Sequence, residues 1–204
     1  MTRIRDLVVN RKDGSEMIRD LALKNRSYRR FEEVDITVET LRELIDLARL
    51  SASAMNAQPL KYMLSCDRLK NSLIFPHLAW ATFLKTWPGP AEGERPSAYV
   101  VILGDAGISR FWDYDAGIAA QSILLGATEK GLGGCMIANI RKEGLRKALK
   151  ISERYEILLV LALGRPKEKV VIETVAPGGD TKYWRDSEGV HHVPKRPLDE
   201  VIIG

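Results

Sequence analysis

Two cysteines in 204 residues, Cys66 and Cys135, with no C-x-x-C pair, leave no basis for a thiol redox motif or a zinc knuckle. Both read as small buried hydrophobes. The chain has no apolar run of the ~18 residues that a membrane span needs. Its first residues, MTRIRDLVVNRKDG, lack the apolar stretch of a secretory leader. A soluble, cytoplasmic protein with no membrane partner is therefore the expectation. Histidine is scarce: His77, His191 and His192 have no G-x-S-x-G elbow to serve. The adjacent pair at 191–192 has no carboxylate or thiol at ligand spacing, so no metal is expected. GLGG at 131–134 is not G-x-G-x-x-G, and it follows a predicted helix where the dinucleotide fingerprint follows a strand. No Walker sequence occurs. Positive charge is in modest excess, at +4. That helps to attract a phosphate-bearing ligand, but the basic residues are dispersed, unlike the clusters of a nucleic-acid reader. No nucleic-acid partner is expected.

What is present is ordinary for a folded domain: 45% hydrophobic and 28% charged residues. No repeat, linker or low-complexity tract divides the chain, so residues 1–204 read as a single domain. Residues 16–24, EMIRDLALK, space their apolar positions for a short helix. Thr37 is placed to N-cap a second, VETLRELIDLARL, whose Leu41, Leu44, Ile45 and Ala48 share one side. Pro59 closes the segment SASAMNAQP that follows. LKYMLSC (60–66) predicts a strand, and SAYVVILG (97–104) and YEILLVLALG (155–164) predict strands covered on both faces. Between the first two, FPHLAWATFLKTWPGPAEGERP reads as a short helix and a loop, either a lid or an ordinary surface loop. Residues 113–130 form the strongest predicted helix, with apolar or small residues on more than one side, as at a domain centre or a subunit interface. Asp113 or Asp115 suits its first turn and Gly131 its end. RKEGLRKALK is a charged helix. The tail reads as irregular up to PLDEVIIG, where Val201, Ile202 and Ile203 predict a terminal strand. Alternating helices and strands give an α/β or α+β three-layer domain.

Three stretches suit chemistry. In RSYRR (26–30), guanidinium forks and a hydroxyl match phosphate oxygens, and an extended chain aims Ser27 and Arg29 the same way with Arg26 in reach. The same residues also fit a solvated basic turn. In SASAMNAQP, Asn56 and Gln58 each offer a donor and an acceptor, and the small residues around them let a flat ring approach; capping amides at a helix end would look alike. In HHVPKRPLDE, Lys195 and Arg196 stand among prolines, as part of a phosphate socket or of a basic tail.

Together NRSYRRF, LSASAMNAQP, DAGIAAQSILLGATEKGLGG, LVLALGRP and PKRPLDEVI occur in an order that resembles the nitroreductase family of FMN-dependent oxidoreductases. The resemblance implies an α+β fold, a three-layer α/β/α sandwich around a mixed, mainly antiparallel sheet. It implies an intertwined homodimer that exchanges the C-terminal arm 197–204 and holds FMN at its interface. It implies passage of hydride from NADH or NADPH to flavin N5 and on to an acceptor such as a nitroaromatic or quinone. No protein group then serves as catalytic acid or base, and Arg29 is the candidate for the N1–O2 edge of the ring. The same scaffold also hosts reductive dehalogenation and flavin fragmentation, and a non-catalytic nucleotide-binding dimer is a further alternative. Carried over position by position, the cofactor contacts are Arg26, Ser27 and Arg29; Ala52, Ser53, Asn56 and Gln58; Met136, Ile137 and Ala138; and Lys195 and Arg196. Asn25 stands where many members carry a first arginine, Ala52 stands where proline is usual, and residues 67–95 match none of the substrate-covering helices.

Overall fold

The computed structural model describes residues 18–204. Eight strands and six helices are seen among these residues. The helix expected at 16–24 is α1 (Ile18–Lys24); its first two residues lie outside the described ones. Thr37 caps α2 (Val38–Leu50) as expected, its hydroxyl accepting from the Thr40 amide. A short strand, β1 (Phe31–Glu32), precedes α2.

The main sheet is built on two long hydrophobic strands. Strand β3 (Ala98–Asp105) is buried at every position, and β5 (Tyr155–Pro166) pairs with it antiparallel. Strand β2 (Leu60–Ser65) covers the outer edge of β3. On the other edge of β5, β4 (Gly133–Ile137) and β1 pair one after the other. Every pairing in this sheet is antiparallel.

Side-chain alternation on β3 sorts two cores. Val100 and Ile102 face α2 and the long helix α4 (Asp113–Glu129). Tyr99, Val101 and Leu103 face the opposite layer, where Ile74 and Leu145 pack. These last two belong to α3 (Arg68–Ile74) and α5 (Lys142–Leu149). The three-layer expectation is met. The left-handed Gly131 (φ 70°) ends α4 and turns the chain into β4.

Four details differ from the sequence reading. α3 forms where no helix was expected, with Asp67 capping it through the Lys70 amide. The stretch after it is one 3-10 turn, Phe75–His77, followed by irregular chain. The tail is not irregular: β6 (Val170–Thr174), β7 (Trp184–Arg185) and β8 (His191–Lys195) form a second sheet, with β6 and β8 parallel. The expected terminal strand is instead a single helical turn, α6 (Leu198–Val201), started by Pro197 and continued by exposed Ile202 and Ile203. Three consecutive β-branched residues carry a strand propensity, but here they have no sheet edge beside them. Cys135 is buried as expected, Cys66 is half-buried, and both are free thiols.

Candidate functional site

A cavity of about 310 Å³ opens between the 25–29 segment, α4, β4 and β8. Glycine makes this junction close. Ser27 bridges to Gly134, and the Tyr28 amide donates to the Gly134 carbonyl at 3.0 Å. A Cβ on Gly133 would fall 2.5 Å from the Tyr28 ring, and one on Gly134 only 2.2 Å from the Ala162 carbonyl oxygen. The GLGG stretch thus lets the basic segment lie flat on β4.

Five predicted residues meet in this cavity: Arg26, Ser27, Arg29, Met136 and Lys195. Among the described residues, Arg26, Arg29 and Lys195 have no carboxylate partner. Their neighbours do: Arg30 holds Glu94 with two bonds of 2.7 Å, Arg185 holds Glu168 at 2.8 Å, and Arg196 pairs with Glu200. Arg26 caps the end of α1 through the Ala22 carbonyl (2.5 Å), yet its buried Nε has no partner. Burial holds its guanidinium below the ordinary arginine value. Unneutralised cations and an orphaned buried donor are groups whose chemistry suits an anion.

Glu168 organises this wall. Its carboxylate accepts from the backbone N–H groups of Arg29 and Arg30 as well as from Arg185. Glu94 is shared by Arg30 and Lys167, and the Arg30 hydrogen bond leads in holding its carboxyl down at about 2. The 79–96 loop is fastened to the wall by Glu94, by the Phe83–Tyr183 ring contact (5.0 Å) and by Trp87 under Arg185 (4.8 Å).

The second predicted group is elsewhere. Ala52, Ser53 and Gln58 line a separate cavity of about 210 Å³. Buried Asp115 anchors their loop, accepting from the Ser53 hydroxyl (2.6 Å) and the Ala54 amide (2.9 Å). Met55, Asn56 and Gln58 all take positive φ (54°, 53° and 51°), a concentration of strain that structures keep at functional loops. Asn56 is exposed and accepts from the Gln58 side chain. Both cavities border α4, the first at Gln121 and Leu124 and the second at Asp115 and Ala119.

The family model described as the nitroreductase family matches residues 22–165. The chain belongs to the nitroreductase family. A protein of Archaeoglobus fulgidus, provisionally named NADH dehydrogenase/NAD(P)H nitroreductase, is 29% identical over 155 residues, covering 71% of this chain and 82% of its own. Among solved structures, the FMN-dependent nitroreductase of Clostridium difficile R20291 superposes with a TM-score of 0.58 at 25% identity, covering 73% of this chain and 87% of that one. A nitroreductase family protein of Streptococcus pneumoniae TIGR4 reaches a TM-score of 0.67 at 18% identity, covering 92% and 100%. This last likeness shows the nitroreductase fold through most of the tail.

Some predicted residues stand apart from both cavities. Ile137 is buried in the core, Ala138 is exposed, and Arg196 is turned to Glu200. Tyr183, Val193 and Gln121 line the first cavity without having been singled out, and His191 lines it without having been read as a cofactor contact. Gln121 sits inside the stretch DAGIAAQ that carried the resemblance, so the motif held that signal. Tyr183 and His191 lie in a tail whose strands had no legible pattern. The two histidines, read together as a weak metal pair, part company in the structure. His191 faces Arg29, and His192 lies between Glu173 and Asp186, stacked on Trp184 at 4.0 Å. Burial first, then Arg29, Arg185 and His192, push His191 down to about 4. The Asp186 and Glu173 hydrogen bonds raise His192.

Proposed function

We propose that the chain is an NAD(P)H-dependent oxidoreductase that binds FMN and passes electrons to a nitroaromatic, quinone or related electrophile. The observation that carries the reading is the cavity where Arg26, Arg29 and Lys195 have no carboxylate partner among the described residues. Arg26, Ser27 and Lys195 have the donors for a phosphate, and the orphaned Arg26 Nε fits that role. When bound, FMN supplies the redox chemistry, accepting hydride from NADH or NADPH and returning electrons to the acceptor. The residues lining the cavity would bind and orient it: Arg29 would supply positive charge, and Met136 would offer an apolar contact. No acid–base triad is needed for hydride transfer.

We infer further that the working form is a homodimer. The two predicted groups lie in different cavities of one chain, so neither is complete alone. Between them α4 presents an outward stripe, Tyr114, Gly117, Ile118 and Gln121, with Tyr114 86% exposed. Burying this stripe against a second copy would set the 52–58 loop of one protomer by the 26–29 segment of its partner. Residues 1–204 act as one domain in this reading, with the arm 197–204, whose Ile203 is 98% exposed, reaching across. A cytoplasmic location belongs to the same reading.

Purified protein should be yellow, release one phosphorylated flavin per chain, and oxidise NADH or NADPH when a nitroaromatic or quinone is added. A colourless protein that takes up no added FMN would refute it. Mixing Arg29→Ala with Asn56→Ala protomers should restore activity in part through one intact shared site; absence of any recovery in demonstrated mixed dimers would count against the shared arrangement.

A further inference from the structure

Among the described residues, Arg29 is held in place by neutral groups alone. Its Nη1 donates to the Ser27 carbonyl at 3.1 Å and lies 3.3 Å from Nε2 of His191. Its guanidinium carbon sits 4.9 Å from the centre of the Tyr183 ring, and that ring is 5.2 Å from the His191 ring. Glu168 comes close, but it takes the backbone N–H of Arg29 and leaves the guanidinium alone. The contrast with Arg30 and Arg185, each cancelled by a carboxylate, is built into the same wall.

A guanidinium has donors and no acceptor, so Nε2 of His191 must accept. The ring is then neutral, with its proton on Nδ1, a buried atom that has no hydrogen-bond partner among the described residues. His191 is 1% exposed, opens β8 and lines the cavity, so it has little freedom to turn away. A carboxylate in this position would aim Arg29 equally well but would cancel its charge. A hydrocarbon would leave the charge intact but unaimed.

We propose that His191 is a positioning residue that fixes Arg29 at the cavity while leaving its full positive charge for an anionic cofactor. The assignment rests on the FMN reading of this cavity. It concerns a residue beyond the span matched by the family model, and it gives the second half of the tail a function in the site.

The test is a charge series at one position, read by FMN titration of the flavin-free protein and by the midpoint potential of the bound flavin. His191→Gln keeps a neutral acceptor and should bind within about threefold of the parent, whereas His191→Leu should lose roughly tenfold and His191→Glu roughly a hundredfold. The potential should fall in the same order, since a reduced, anionic flavin loses the charge that stabilised it. In an Arg29→Ala background the His191→Leu loss should vanish, because the two residues act as a unit. Should the Leu variant not fold, the Gln–Glu comparison decides. Equal affinity and potential in the Gln and Glu variants, or an undiminished His191→Leu loss without Arg29, overturns the proposal alone. A parent protein that binds no FMN overturns the FMN reading and the proposal with it.

Discussion

Glu168→Ala should be among the most damaging single substitutions in this chain. The Glu168 side chain is fully buried and satisfies three donors: the backbone N–H groups of Arg29 and Arg30 and the Arg185 guanidinium. Leaving a buried donor unpaired costs about 1–3 kcal/mol, and removing one partner of a buried ion pair about 3–5 kcal/mol. These do not add in full, because the Arg185 side chain keeps 16% exposure and water can reach part of it. A net loss of about 4 kcal/mol is expected, or roughly 8–16 °C in Tm for a chain of this size. Glu168→Gln retains an amide oxygen for the backbone donors and gives up the charge, so about half that loss is expected. Urea denaturation checks both, with the midpoint falling and the slope unchanged. A loss below about 1 kcal/mol for the alanine variant, or equal losses for the two, would show that Glu168 does not organise the wall.

Gly134→Ala should cost about 1–3 kcal/mol or more, since the added carbon meets the Ala162 backbone oxygen at 2.2 Å, and FMN affinity should fall with it as β4 and the 26–29 segment shift apart. A denaturation midpoint like the parent's would contradict the packing described. Asp115→Ala should speed amide hydrogen exchange at Ala54 and Gln58, whose loop Asp115 anchors directly and through Ser53, with little change in β3. The neighbouring histidines should respond oppositely to pH. His191, held down near 4, lowers stability as pH falls from about 6.5 toward 4, by at most ~3 kcal/mol, and His191→Gln should flatten that limb of the stability–pH curve. His192, raised by Asp186 and Glu173, stabilises fully below about 6.5 and loses its contribution as pH rises through its folded value, so His192→Gln should be destabilising at pH 5.5 and nearly neutral at pH 9.

The elements that the sequence made legible are those whose pattern is local. The buried strands at 97–104 and 155–164, the Thr37 cap and the Gly131 stop follow from composition and periodicity within a few residues, and each is found. α3 was hidden because RLKNSLI has too few apolar positions to show a period, and its Asp67 cap went unread. The tail sheet was hidden because β7 has two residues and β8 alternates poorly, so their pairing depends on partners distant in sequence. The terminal strand was overread from three β-branched residues that have no edge to join. In the site, Arg26, Ser27, Arg29, Met136 and Lys195 converge because the first three ride one extended segment against β4. That Ala52, Ser53 and Gln58 line a different cavity from these was not legible, because the order of motifs along the chain does not say how the two groups lie in space.

The family model stops at residue 165, and Tyr183, His191, Val193 and Lys195 furnish the far side of the cavity, with Glu168 bonded to the backbone of Arg29 and Arg30. The chain therefore divides its labour by position. What comes before that point holds the main sheet and the near side of the cavity, with backbones so tightly stacked at Gly133 and Gly134 that little can vary there. What comes after is joined to that scaffold through the Glu168 carboxylate, the Lys167–Glu94 pair and a few ring contacts. Substitutions at Tyr183, His191, Val193 or Lys195 would reshape the cavity lining while the central sheet stays as it is.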